Sequence, residues 1–167
     1  MKLMKNDFLI AETACSHNGK INELKNLVKR VAKTQVGTIK FQIFYPEERT
    51  YKGDDEYDLF QRLSLKEKEW LSVVKLAKLK KIKIFVDIFG IKSFNLAKKL
   101  KVDGFKVHSE DSSNFNFLKK ILDEKKPTLV SISGFELDEL EELIKKFKNH
   151  NNFIPTIGFQ NFPTLVG

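Results

Sequence analysis

The chain has 167 residues, a formal net charge of +8 and a single cysteine, Cys15. That length supports one domain with a real core, a lone thiol excludes an internal disulfide and suits a reducing cytoplasm, and no apolar run approaches the ~20 residues of a membrane-spanning helix. The surplus lysines sit on helical segments such as Lys75, Lys78, Lys80 and Lys81, alternating with apolar positions, which reads as a solvated face attracting small anions rather than a nucleic-acid surface.

Residues 1–7 have no apolar core, so no signal peptide is predicted and a cytoplasmic location is expected. A first strand is predicted at 8–14. Leu24, Leu27, Val28 and Val31 then follow the helical period. A second strand at 38–44 leads into a long acidic stretch, 45–64, read either as a lid-like loop with a short helix or as a solvated surface insertion. Trp70, Val73, Val74 and Ala77 mark the next helix, followed by a strand at 84–87 and a helix at 93–100. Strands at 104–107, 128–132 and 153–157 alternate with helices at 115–123 and along Leu137, Leu140, Leu143, Ile144 and Phe147. Repeated βα units predict a parallel sheet. Since a whole (β/α)8 barrel takes about 250 residues, residues 1–167 fit a single α/β domain of incomplete (β/α)8 TIM-barrel type with about six βα units, or else an open doubly wound sheet. An incomplete barrel has two open sheet edges, which predicts either a shortened gene product or a homodimer covering them.

Four apolar strands each carry a charge at or near the C-terminal end: Glu12, Lys40, Asp87 and Lys106. In parallel α/β folds that end is where sites are built. Strand alternation puts Ile39, Phe41 and Ile43 on one face and Lys40 and Gln42 on the other. The same rule pairs Ser131 with Ser133, and Lys106 with His108. Glu12, Lys40, Gln42, Lys106, Ser131 and Ser133 therefore form a candidate polar constellation suited to a phosphate or carboxylate. Simpler roles stand beside this one. Lys40 and Lys106 could snorkel to solvent, Glu12 could only pair with Lys40, and Asp87 could be a buried partner for a lysine. His17 reads as a loop hydrogen-bonder, His108 as structural and His150 as a surface residue. Cys15, Ser131 and Ser133 lack the context of a nucleophile.

The segment Ile10-Ala11-Glu12-Thr13-Ala14-Cys15-Ser16-His17-Asn18-Gly19 resembles the opening motif of the sialic acid synthase family. Ile39-Lys40-Phe41-Gln42 is similar to that family's second-strand motif, and Phe105-Lys106-Val107-His108-Ser109-Glu110-Asp111 to its fourth. Ser131-Ile132-Ser133-Gly134 and Asn161-Phe162-Pro163-Thr164 resemble two more, in family order along nearly the whole chain. The resemblance implies a (β/α)8 barrel followed by an antifreeze-like domain, and residues 1–167 are expected to hold only part of the barrel. It implies condensation of phosphoenolpyruvate with an amino sugar such as N-acetylmannosamine, in carbohydrate biosynthesis, with a divalent manganese or magnesium ion polarising the sugar aldehyde. Lys40, Gln42, Lys106, Ser109 and Ser131 or Ser133 would hold phosphoenolpyruvate. Glu12 would face the sugar, and Asp111 would stand near the reacting centre, where the family has a longer glutamate.

The chain departs from the pattern in several places. Ile157 occupies the expected position of a metal-ligating histidine. Asp87-Ile88-Phe89 replaces a motif that supplies a phosphate-contacting hydroxyl, and His108 replaces a glycine. These changes predict a lost metal site, and they support an alternative in which a diverged, non-catalytic homologue binds an anionic metabolite.

Overall fold

A computed structural model describes residues 8–158. Six strands form one sheet: β1 (Ile10–Glu12), β2 (Thr38–Ile43), β3 (Lys83–Ile88), β4 (Gly104–Val107), β5 (Thr128–Ser131) and β6 (Phe153–Thr156). Every neighbouring pair is parallel, and spatial order follows chain order. The connections carry α1 (Ile21–Val31), α2 (Tyr57–Leu63), α3 (Glu67–Leu79), α4 (Ile91–Leu100), α5 (Ser109–Ser112), α6 (Phe115–Leu122) and α7 (Leu137–Phe147). A doubly wound sheet reverses its strand order at a switch point. This sheet never reverses, so crossovers of one hand put the helices on one face, as in a barrel wall. The fold is an α/β half-barrel, and the open-sheet alternative falls. Among the described residues no helix is long and apolar enough to cross a membrane.

The core lies between that outer face and the helices. Ile39, Phe41 and Ile43 of β2, Ile84, Val86 and Ile88 of β3, and Phe105 and Val107 of β4 are fully buried there. They meet Leu24 and Val28 of α1, Trp70 and Val73 of α3, and Phe94 of α4 in one cluster. Phe41 and Trp70 pack with ring centroids 5.7 Å apart, and Phe94 and Phe105 at 5.6 Å. The alternate residues of the same strands therefore face the barrel interior. Gly104 begins β4 there because a Cβ would stand 2.3 Å from the ring of Phe85.

Several boundaries shift for local reasons. β1 ends at Glu12, although Thr13 still bonds the Lys40 carbonyl through both its N–H (3.1 Å) and its hydroxyl (3.0 Å). Ala14 then turns the chain at φ 42°. Helix α4 begins two residues before the predicted 93 because Glu48 caps it: Oε1 accepts from the Lys92 N–H at 2.7 Å and the Ser93 N–H at 3.1 Å. Glu48 belongs to the 45–64 stretch, which contains a 3-10 turn at Pro46–Glu48 as well as α2. This stretch is pinned to the barrel top. Phe44 packs edge-on against Phe60 at 5.6 Å, and the Arg49 guanidinium lies over the rings of Phe89 (4.2 Å) and Phe60 (5.1 Å).

Candidate functional site

The C-terminal ends of β1 to β4 converge on one buried carboxylate. Parallel register sets Glu12 beside Lys40, and Asp87 between Gln42 and Lys106. Lys40 is only 7% exposed. Its ammonium contacts the Glu12 carboxylate and lies 2.6 Å from Asp87 Oδ2. Lys106 Nζ stands 3.8 Å from Asp87 Oδ1, His108 Nε2 3.4 Å from Oδ2, and Gln42 Nε2 3.5 Å from Oδ2. Asp87 is 0% exposed. Burial alone raises the pKa of such a carboxyl, but His108, Lys40 and Lys106 outweigh burial and hold it below the usual carboxylate range. Lys106 goes the other way. Burial pushes its ammonium below the ordinary lysine value, and the attraction of Asp87 only partly restores it.

A hollow of about 410 Å³ opens above this group, walled by Glu12, Lys40, Lys106 and His108 on one side. Ser109, Ser131, Ser133 and Thr156 line the other. The Ser133 hydroxyl accepts the Gly158 N–H at 2.8 Å, tying the loop after β5 to the loop after β6. Glu12 sits at the rim, its side chain 42% exposed, with Oε1 accepting from the Ala14 N–H. The arrangement offers ammonium and hydroxyl donors to a small anion, with a movable carboxylate at the entrance.

Of the residues singled out in the sequence, Glu12, Lys40, Lys106, Ser109, Ser131 and Ser133 come together around this hollow. Gln42 lies beside it, near Asp87 and 3.6 Å from Cys15 Sγ, rather than in its wall. Asp111 lines a neighbouring hollow with Gly90 and Asn114. Burial first, and Glu110 second, raise the pKa of its carboxyl. His17 is buried with Nδ1 accepting from the Gly19 N–H at 3.0 Å, in keeping with a loop role. His150 is half-buried against Phe147 instead of standing on open surface, because its ring completes an aromatic contact at 5.8 Å. Two contributors, Asp87 and His108, are not among the predicted binding residues. Asp87 is legible as one of the four strand-end charges and as a lysine's buried partner, but not as the carboxylate on which both lysines meet. His108 stacks on Phe89 at 4.8 Å and reaches Asp87, and its parity with Lys106 was the available signal.

The donors that the described residues bring to the hollow do not suit a metal. Ile157, where the resemblance calls for a histidine, is 84% exposed and has no ligating atom. Among the described residues no group of three His, Cys, Asp or Glu side chains could hold a metal ion. The motif at residues 161–164 lies outside the described residues.

The NeuB family pattern matches residues 27–157, and the chain belongs to that family. It is 31% identical over 143 residues to the uncharacterized protein MJ1065 of Methanocaldococcus jannaschii, covering 86% of this chain and 42% of that one. It is 28% identical over 155 residues to the N,N'-diacetyllegionaminic acid synthase of Campylobacter jejuni, covering 84% and 46% respectively. The chain spans about half the length of the curated relatives it matches. The N-acetylneuraminic acid (sialic acid) synthetase of Leptospira borgpetersenii, solved with citrate, shares the fold at a TM-score of 0.86 and 24% identity, covering 98% of this chain and 61% of that one. The resemblance to the sialic acid synthase family is borne out.

Proposed function

We propose that this chain is the substrate-holding part of a phosphoenolpyruvate-dependent synthase of sialic-acid-type sugars. One observation carries the reading: Lys40 and Lys106, from strands on either side of β3, line one hollow together with Ser131, Ser133 and Glu12. In this reading Lys106 and the serine hydroxyls receive phosphoenolpyruvate. Lys40, fixed by Asp87, sets the floor potential. Glu12 turns from Lys40 toward the hydroxyls of an amino sugar entering from the open side. The enol carbon attacks the sugar aldehyde, water adds at the carbon left electron-poor, and phosphate departs. Asp111 is assigned no step, because it lines a different hollow, and no step is routed through a metal.

A calorimetric titration with phosphoenolpyruvate checks the binding half of this reading. Saturable binding is expected, weakened at least about tenfold by Lys106→Met through loss of a charge-assisted contact; a wild type that evolves no heat overturns it. Ile157 favours the second reading, a relative that binds the anion without catalysis. Phosphate release from phosphoenolpyruvate with N-acetylmannosamine and manganese would exclude that second reading, and binding without release would support it.

A further inference from the structure

The hollow is less positive than its two lysines suggest. Both ammonium groups face carboxylates, Glu12 and Asp87, so the cluster is neutral before any ligand arrives. The two carboxylates differ in freedom. Glu12 is on the rim and can swing into water when an anion competes for Lys40. Asp87 is 0% exposed, lies under both lysines and has no route to solvent. Once Glu12 moves aside, one net positive charge remains. His108, the other titratable group touching Asp87, adds a charge only when protonated. Arg49 stacks on Phe89 and does not line the hollow.

We propose that Asp87 is a specificity-determining residue: a fixed carboxylate beneath Lys40 and Lys106 that tunes the hollow to a singly charged carboxylate and against a phosphate dianion. The inference rests on reading the hollow as an anion site. Phosphoenolpyruvate then seats its carboxylate over Lys106 and turns its phosphate toward the opening. A unit charge about 6 Å from the ligand, at an effective dielectric near 20, changes affinity by tenfold or more for each ligand charge. A dianion therefore loses more than a monoanion does.

The test compares pyruvate, inorganic phosphate and phosphoenolpyruvate by calorimetry on the full chain, wild type and Asp87→Asn, at about pH 8, where phosphate is mostly dianionic. The wild type should bind pyruvate at least as tightly as phosphate. Asp87→Asn should shift the phosphate-to-pyruvate affinity ratio at least tenfold toward phosphate. An unshifted ratio, or a wild type preferring phosphate tenfold, overturns the inference. If Asp87→Asn does not fold, the wild-type ratio alone decides. Pyruvate and phosphate behaving as expected with no phosphoenolpyruvate binding would uphold Asp87 while sinking the synthase reading. Phosphoenolpyruvate binding with an unmoved ratio would do the reverse. No binding of any of the three to either protein overturns both.

Discussion

A buried ammonium is tolerated only as far as its neighbours replace the water it has lost, and the two site lysines differ in that respect. Lys40 lies between two carboxylates, whereas Lys106 has one carboxylate oxygen at 3.8 Å. Burial accordingly holds the pKa of Lys106 below the ordinary lysine value. The sign is unfavourable: the unfolded chain holds this proton more tightly, so the penalty is full below the folded pKa and fades as pH rises toward the ordinary value. Lys106→Met keeps the apolar stem and removes that penalty. Urea denaturation at neutral pH should show stability unchanged or raised by up to about 1 kcal/mol, against a loss of about 3 kcal/mol for Lys40→Met, which strands Asp87. Equal losses in the two variants would refute the distinction. Strand parity made Lys40, Lys106 and Ser131 legible in the sequence, because β2, β4 and β5 hold them in regular parallel pairing, whereas Ser133 lies two residues past the end of β5. It could not show that Asp87 binds a lysine 47 positions away.

At the scale of elements, the 45–64 stretch is tied to helix α4 through one side chain. The Glu48 carboxylate caps the Lys92 and Ser93 N–H groups, and its charge favours the helix's positive end. Gly90 leaves it room, since a Cβ there would stand 2.5 Å from Glu48 Oε1. Glu48→Gln is expected to lower stability by about 1 kcal/mol in thermal denaturation, with faster hydrogen exchange along 45–64. A variant that melts like wild type would show the cap to be idle. Sequence reads 45–64 as a loop without its anchor, because composition does not say which carboxylate finds a helix end.

For the whole molecule, strand count alone could not separate a barrel wall from an open sheet, since the deciding fact is strand order, which no local period encodes. β2 and β3 are covered on both faces, whereas β6 is half-exposed along its length. Hydrogen exchange should be slowest in β2 and β3 and at least about tenfold faster in β6; uniform protection across the sheet would contradict this. Strands sheltered on both sides lack the oily and watery stripes that usually fix alignment. Here ions supply that cue. Sliding β2 by one position would thrust Lys40 among the hydrocarbon around Trp70 and leave Asp87 bereft of its nearest counter-charge, a penalty of several kcal/mol for each stranded ion. The charges gathered at the hollow thus also reject misthreaded chains while the sheet is assembling.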